Sequence, residues 1–147
     1  MTASRMPSSL LSATRYVTVV DSSEIARMPV ESIQGVLQFV TGTDLKQRGA
    51  MGVQADVSIR GATFDQTLIL VDGVKMNDPQ TGHHSFSIPV PLNEVERVEV
   101  LHGHGSSLYG PNAFGGVINI ITKRSAETGA NLSLTIGEHG FYGGTAT

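Results

Sequence analysis

The spacing of hydrophobic residues changes along this chain from a helical period to an alternating one. Near the N-terminus, Tyr16 to Val20 is a β-rich run that predicts a strand. Asp21 follows it, with Glu24 three residues later, which is the pattern of a capping box at a helix start. The sequence therefore predicts a short helix from Glu24 to Met28, which has to end before Pro29.

A second helix is predicted from Glu31 to Val40. Its apolar residues occupy positions i, i+3, i+4 and i+7, which is the spacing of one helical face. These residues are Ile33, Val36, Leu37 and Val40. Gly42 is placed to end the helix.

After Gly42 the hydrophobic period becomes two, which is typical of strands. The predicted strands are residues 56–60, 67–71, 95–101 and 117–122. Asp72-Gly73 predicts a tight hairpin turn with a return strand at 74–76, because both turn positions need positive φ. One helical turn is predicted from Ser106 to Tyr109, closed by Gly110. Local helices mixed with paired strands predict an α+β fold.

The last segment also alternates. Residues 131–136 alternate small polar with aliphatic residues, 137–140 is a turn, and 141–147 begins another strand. A membrane β-barrel strand alternates in this way, with apolar residues outward and polar residues inward. A half-buried hairpin of a globular domain alternates as well, and the pattern taken alone favours that second interpretation.

Composition narrows the function classes. The 147 residues carry 10 Lys+Arg against 13 Asp+Glu, a net charge of −3, and this balance argues against a nucleic-acid partner. The absence of Cys excludes disulfides, thiolate metal sites and thiol catalysis. The longest apolar run, 68–71, is far shorter than the roughly 20 residues of a membrane-spanning helix. The 17 glycines suit a backbone that lies close to another structure.

Gly103-x-Gly105 follows a predicted strand, where a dinucleotide-binding fingerprint would begin. Leu108 stands where the third glycine is required. Lys123 and Arg124 stand where the acidic ribose ligand is expected. We interpret these glycines as a tight turn and predict no cofactor.

His102 and His104 alternate, so on a strand they would share one face and, with Asp78, could bind a metal ion. No third and fourth ligands stand at a recognisable spacing, so solvated histidines remain the simpler interpretation and no metal is predicted. Ser106 and Ser107 lack the G-x-S-x-G arrangement. We therefore predict no catalytic residue and no enzymatic activity.

The densest charged set lies around Arg97. The neighbouring acids are Glu94, Glu96 and Glu99. Strand alternation places Arg97 on a different face from one of them. For the acids, a solvated sheet face remains an open alternative.

Several motifs together resemble the plug domain of TonB-dependent outer-membrane receptors. The most specific is L-Y-G-x-x-A-x-G-G-V-I-N-I-I-T at 108–122, inside a similar stretch from 88 to 123. Supporting motifs are T-A-S-R at 2–5, S-I-R-G at 58–61 and L-I-L-V-D-G-V at 68–74. The resemblance is closer to receptors for siderophores, haem or cobalamin than to those for glycans or peptides.

The resemblance implies a compact plug with a small mixed sheet and short helices over residues 1–124. Such a plug sits inside a barrel of about 22 strands. Residues 125–147 are then a linker and a truncated first barrel hairpin, which reverses the interpretation of the C-terminal alternation. The glycines Gly103, Gly115 and Gly116 are expected to let the backbone turn and approach the barrel wall.

The resemblance also implies active uptake across the outer membrane. A scarce ligand such as an iron-siderophore, haem or cobalamin binds outside, and TonB, energised by its inner-membrane partners through the proton-motive force, opens the plug. The chain itself would carry out no catalysis. The alternative is a self-standing soluble periplasmic binding or interaction module that keeps the plug fold.

Two plug loops, 47–56 and 76–87, correspond to loops that reach the outer face in similar receptors. They supply the ligand candidates Gln47, Arg48, Met51, Gln54, Asn77, Asp78, His83 and His84. Expected plug–barrel contacts are Arg60, Arg97 and His102. Arg60 matches a family arginine that pairs with barrel acids. The companion arginine of the family's L-R-G-P motif is replaced here by His102, which would bind the barrel acids more weakly and hold the plug less firmly.

In this family the TonB box lies just before the T-A-x-R position, and here the chain begins at Met1-Thr2. We therefore expect the box to be absent from this chain. Our hypothesis is that the sequence is a fragment of a receptor of several hundred residues.

Overall fold

The structure is a computed structural model, and it describes residues 15–49, 54–77, 88–124, 130, 132–140 and 142–146. The strands in this part of the chain are β1 (Val17–Asp21), β2 (Thr43–Gln47), β3 (Ala55–Ile59), β4 (Thr67–Val71), β5 (Val74–Lys75), β6 (Val95–His102), β7 (Gly116–Thr122), β8 (Leu132–Ile136) and β9 (Tyr142–Ala146). The α-helices are α1 (Ser22–Ile25), α2 (Ile33–Gln38) and α3 (Ser106–Tyr109). None of the described helices is long and apolar enough to cross a membrane.

A mixed sheet of five strands organises the molecule, in the order β1-β6-β7-β4-β5. The pair β4–β7 is parallel and the other pairs are antiparallel. Two further antiparallel hairpins are formed by β2–β3 and β8–β9. The predicted α+β fold with a small mixed sheet and short helices is confirmed.

The two faces of the sheet bury different partners. Val98, Val100, Ile118 and Ile120 lie in one buried cluster with residues of α2 and β3. Leu101, Leu68 and Val117 lie in a second cluster, closed by Tyr109 of α3 and by Ala113. A sheet covered on both faces needs near-continuous apolar strands, which explains the unbroken run of β4.

Both predicted N-terminal helices exist, with shorter bounds. The capping box of Asp21 and Glu24 is confirmed, and because Asp21 is the N-cap, α1 begins at Ser22 rather than Glu24 and ends at Ile25. In α2 the Ser32 hydroxyl accepts a hydrogen bond from the Gly35 N–H at 3.1 Å, so the helix begins two residues later than predicted. All four residues of its predicted apolar face are buried.

The helix α2 also ends before Gly42. The Thr43 hydroxyl donates to the carbonyl oxygens of Leu37, at 2.5 Å, and Val40, at 2.7 Å. Phe39, not Gly42, is the C-cap residue. Gly42 has a φ of 83° and turns the chain into β2.

Strand β2 was not predicted. Its sequence T-D-L-K-Q is polar and mostly exposed, so it carries little apolar signal, and it forms only because it pairs with β3. The predicted 47–56 loop is therefore narrower, since Gln47 and Asp56 both belong to strands. β1 also starts one residue later than predicted, at Val17.

The Asp72-Gly73 turn is confirmed, with φ values of 48° and 82°. The Asp72 carboxylate also accepts hydrogen bonds from the Thr122 backbone N–H at 3.0 Å and hydroxyl at 2.7 Å. The Gly73 N–H donates to the Asn119 side-chain oxygen at 3.2 Å. The turn is thereby fastened to β7 as well as joining β4 to β5.

The closest neighbours of Gly115 and Gly116 belong to this chain. A Cβ at Gly116 would lie 2.5 Å from the Leu101 carbonyl oxygen and 2.6 Å from Ile59 Cδ1. A Cβ at Gly115 would lie 2.4 Å from Ala62 Cβ. These glycines let the segment after β3 pack directly against the start of β7.

Candidate functional site

One end of the five-stranded sheet collects the polar and aromatic residues of the candidate site. His102, at the end of β6, pairs with Gly116 at the start of β7, and Gly116 pairs with Thr67 at the start of β4. On the other side, the His102 N–H donates to the Tyr16 carbonyl oxygen at 3.0 Å. This row consists of Tyr16, His102, Gly116 and Thr67, and we call it, together with the residues that contact it, the sheet end.

Arg60 reaches the sheet end from the residue after β3. It is exposed, and its φ of 52° lies in the left-handed region that glycine normally occupies. Its backbone N–H donates to the Gly42 carbonyl oxygen at 2.8 Å. Its guanidinium carbon lies 5.4 Å from the centroid of the Tyr16 ring, within the range of a cation–π contact.

His102 lies behind Tyr16 and is only 6% exposed. Its Nε2 is 2.9 Å from the Thr18 hydroxyl oxygen, and its ring centroid is 4.7 Å from that of Tyr16. Burial, and then the nearby charge of Arg60, lower the pKa of His102 below its ordinary value. Its Nδ1 is buried and has no hydrogen-bond partner within the described part of the chain. Burial and the Arg60 charge thus both favour the neutral form of this imidazole.

His102 and His104 do not form a shared metal site. His104 is exposed beyond the end of β6 and packs its ring against Phe114, with centroids 4.7 Å apart. Its proposed third ligand, Asp78, lies outside the described residues. Across the described ranges, no group of three or more His, Asp or Glu residues is arranged to hold a metal ion.

Arg97 is held by acids of its own strand. Its guanidinium donates to Glu99 at 2.9 Å and to Glu96. Burial disfavours the charge of Arg97, but the hydrogen bond and charge of Glu99 and the charge of Glu96 outweigh it and raise the pKa of Arg97. The pairing register shifts between Val95 and Arg97, which interrupts strict alternation and allows both contacts. Glu99 is 1% exposed, so a solvated sheet face is wrong for this residue.

Three of the predicted ligand residues meet at the end of the β2–β3 hairpin. Gln47 and Arg48 are exposed, and the Arg48 N–H donates to the Gln54 carbonyl oxygen at 3.1 Å. The Gln54 side chain is half-buried and its amide nitrogen lies 3.5 Å from an Asp56 carboxylate oxygen. Met51 lies outside the described residues.

Asn77, a ligand candidate of the second loop, is bound to the sheet. Its side-chain oxygen accepts from the Ile69 N–H at 2.8 Å, and its amide nitrogen donates to the Thr67 carbonyl oxygen at 3.2 Å. These two bonds satisfy backbone groups of β4 that lie beyond the end of its pairing with β5. The remaining candidates, Asp78, His83 and His84, lie outside the described residues.

The Gly103-x-Gly105 segment is a turn, as interpreted. β6 pairs antiparallel with both β1 and β7, so it does not open the parallel unit that a dinucleotide-binding fingerprint requires. Gly103 has a φ of 94°, and a Cβ at Gly105 would lie 2.6 Å from Val117 Cγ2. Conformation and close packing account for both glycines.

Sequence reasoning missed three residues of the sheet end. Tyr16 was assigned only to a strand, Thr18 carried no signal, and Arg15 was not considered. Arg15 donates to the Ser107 hydroxyl at 2.8 Å, and its Nη1 is buried without a partner among the described residues. The sequence feature that could have indicated this cluster is Arg15-Tyr16, directly before the β-branched run 17–20.

Comparison with known proteins shows the family. The family model described as TonB-dependent Receptor Plug Domain matches residues 9–117. The chain belongs to this family of plug domains, which confirms the resemblance inferred from its motifs.

Named relatives agree with the assignment. The chain is 40% identical over 138 residues to the vitamin B12 transporter BtuB of Vibrio vulnificus (strain CMCP6), covering 93% of this chain and 22% of that protein. It is 36% identical over 138 residues, with the same coverage, to BtuB of Vibrio cholerae serotype O1 (strain M66-2).

Solved structures show the same fold. A mutant ferric enterobactin receptor PfeA from Pseudomonas aeruginosa, in complex with enterobactin, matches with a TM-score of 0.64 and 32% identity, covering 82% of this chain and 19% of that one. The siderophore receptor PirA from Acinetobacter baumannii matches with a TM-score of 0.62 and 31% identity, covering 80% and 18%. The chain therefore spans about a fifth of the length of the relatives it matches.

Proposed function

We propose that this chain is the plug of an outer-membrane active-transport receptor, which binds a scarce extracellular ligand and is opened by TonB using the proton-motive force. The observation that carries the proposal is the match of residues 9–117 to the plug family. The relatives are named as a vitamin B12 transporter and as siderophore receptors. The ligand class is therefore a cobalamin or a ferric siderophore, with haem as a further member of the same group.

The β8–β9 hairpin supports a barrel downstream of the plug. Its Leu132, Leu134, Ile136 and Tyr142 side chains are 72%, 77%, 86% and 81% exposed. The register pairs Leu132 with Ala146, Leu134 with Gly144 and Ile136 with Tyr142, so these residues share one face. A self-standing soluble module has no use for an uncovered apolar face, whereas the first strands of a membrane barrel turn such a face to lipid.

Uptake measurements test the function directly. In the source bacterium, deletion of the gene is expected to abolish accumulation of radiolabelled cyanocobalamin or of a ⁵⁵Fe-labelled siderophore, and deletion of tonB is expected to give the same loss. Complementation by the full-length gene should restore uptake only in the tonB⁺ strain. Unchanged uptake of every compound in the deletion strain would contradict the transporter proposal.

The ligand contact is proposed at the β2–β3 hairpin end, where Arg48 is exposed beside Gln47. Arg48→Ala in the full-length receptor should weaken ligand binding, and Lys46→Ala is the matched control because Lys46 is exposed earlier on β2. The proposed set is completed by Met51, Gln54, Asn77, Asp78, His83 and His84.

A further inference from the structure

We propose that Asp72-Gly73 is a site of covalent modification, at which the aspartate converts to isoaspartate while the turn is detached from β7. The fold suppresses this reaction through the contacts that Thr122 and Asn119 make with the turn. The pair is the one Asp-Gly sequence of the chain, and Asn-Gly does not occur in it. The inference concerns the chemistry of the turn and does not depend on the transport function proposed above.

The reaction needs no catalyst and no co-reactant other than water. The Gly73 backbone nitrogen attacks Cγ of the protonated Asp72 side chain and forms a C–N bond, and the carboxyl hydroxyl leaves with the amide proton as water. Water then opens the cyclic succinimide. Cleavage of the bond between the nitrogen and the former backbone carbonyl gives isoaspartate, and cleavage of the bond to Cγ restores aspartate. Glycine favours the attack, because it has no side chain beside its nitrogen and its backbone turns most freely.

Solvent access does not protect the pair, since Asp72 and Gly73 are both exposed. The electrophile is restrained by contacts instead. The Asp72 Oδ1 accepts the Thr122 backbone N–H at 3.0 Å, and its Oδ2 accepts the Thr122 hydroxyl at 2.7 Å. Both carboxylate oxygens are thus bound to β7. These two bonds restrain the rotation that brings Cγ onto the next backbone nitrogen.

The nucleophile is restrained as well. The Gly73 N–H donates to the Asn119 Oδ1 at 3.2 Å. Attack requires this nitrogen to lose its proton, and an amide oxygen is too weak a base to accept it. The Asp72 N–H donates to the Ile120 carbonyl oxygen at 2.9 Å, which fixes the backbone before the side chain to the same strand. The turn therefore has to leave β7 before it reacts, and the rate of modification follows the population of the opened turn.

Isoaspartate is incompatible with the closed turn. It adds one main-chain atom between the Asp72 Cα and the Gly73 nitrogen, whereas the closed hairpin pairs Val71 with Val74 across these two residues alone. The free carboxylate is then attached directly to the Asp72 Cα, one bond nearer to the main chain than the side chain that reaches Thr122. The modified turn thus loses both its hairpin geometry and its attachment to β7.

Ageing of the full-length receptor at neutral pH tests the protection. Trypsin, applied after unfolding, releases residues 61–75, which contain Asp72 together with Asp65 as an internal control that precedes Gln66 rather than glycine. Electron-transfer fragmentation of this peptide locates isoaspartate at either position. A synthetic peptide of residues 69–77 is the unprotected reference. We expect Asp72 in the receptor to isomerise about a hundredfold more slowly than in the peptide, the scale of two hydrogen bonds to a charged group. Equal rates overturn the inference, and this comparison requires no variant to fold.

Variants of the receptor test the contact itself. Thr122→Val should speed isomerisation about tenfold, the scale of one hydrogen bond to a charged group, and Thr122→Ser, which keeps the hydroxyl, should stay within about twofold of wild type. Thr67→Val is the matched control, because it removes a hydroxyl at the other end of β4. It should isomerise like wild type. No acceleration in Thr122→Val, or an equal acceleration in Thr67→Val, overturns the inference and leaves the proposed function intact.

Discussion

His102 is buried at the sheet end, and its surroundings favour the neutral form of the imidazole. Burial is the larger cause of its lowered pKa, and the Arg60 charge is the second. Because the folded-state pKa lies below the unfolded value, the unfolded chain binds more protons as the pH falls. The stability that this residue contributes is therefore complete above about pH 6.5 and is lost as the pH falls towards the folded-state pKa.

The predicted pH dependence can be isolated with one variant. Between pH 8 and pH 5.5, the free energy of unfolding of the wild-type chain should fall more than that of His102→Gln, because glutamine does not titrate. Urea denaturation followed by far-UV circular dichroism measures both, since the chain has no Trp for fluorescence. Equal losses in the two proteins would show that other groups dominate the acid transition.

At the scale of single residues, the sequence predicts the residues that belong to a motif. It misses the residues whose role depends on pairing with a distant part of the chain. Arg60 was found because it stands in S-I-R-G. Tyr16 was missed because its role exists only after β1 has paired with β6, far along the chain. The burial of Glu99 was missed because nothing local indicates that Arg97 and the sheet enclose it.

At the scale of elements, the turn between β4 and β5 illustrates how one residue serves two strands. Asp72→Ala removes both hydrogen bonds to Thr122. It also places alanine, which has a Cβ but no polar side chain, at a φ of 48°. We expect a loss of about 2 kcal/mol in the free energy of unfolding. Asp72→Asn, which tolerates this φ and keeps one acceptor oxygen, should lose less than about 1 kcal/mol. Equal losses by urea denaturation would show that the carboxylate contacts contribute nothing.

The contact of β3 with the start of β7 depends on the absence of a side chain at Gly116. Gly116→Ala should destabilise the chain by about 3 kcal/mol, because the new Cβ meets a backbone carbonyl and the Ile59 side chain. Gly61→Ala is the matched control, since its φ is 77° but nothing lies within 4 Å of the new Cβ. It should cost about 1 kcal/mol, from backbone strain alone. An equal or larger loss in Gly61→Ala would contradict the packing explanation.

Elements with strong apolar periodicity or turn chemistry were predictable, whereas the polar strand β2 was not. The apolar face of α2, the capping box of α1 and the turn at Asp72-Gly73 each follow from local residues. β2 has no such signal, because its polar residues become a strand only beside β3. The sequence shows the glycine cluster but not which part of the chain packs against it, because that contact depends on the packing of β3 against β7.

At the scale of the whole molecule, the described chain combines a sheet buried on both faces with a hairpin that leaves its apolar face uncovered. The plug sheet hides its core residues almost completely, including Val98, Val100 and Leu101 at 0% exposure. The hairpin residues Leu134 and Ile136 are 77% and 86% exposed. A difference of this size sets β8–β9 apart as an element whose apolar face is covered by nothing in the described part of the chain.

This contrast yields a prediction about the whole chain. When the 147-residue chain is mixed with phosphatidylcholine vesicles and centrifuged in a density gradient, it should float with the lipid, because the uncovered face of β8 prefers hydrocarbon to water. The double variant Leu134→Lys, Ile136→Lys should remain at the bottom, since a lysine on the lipid face of a barrel strand costs about 2–4 kcal/mol at the membrane centre. Val74→Lys, at an exposed apolar position of the plug sheet, should float like the wild type. Flotation of all three proteins alike, or of none, would contradict lipid binding through the uncovered apolar face of β8–β9.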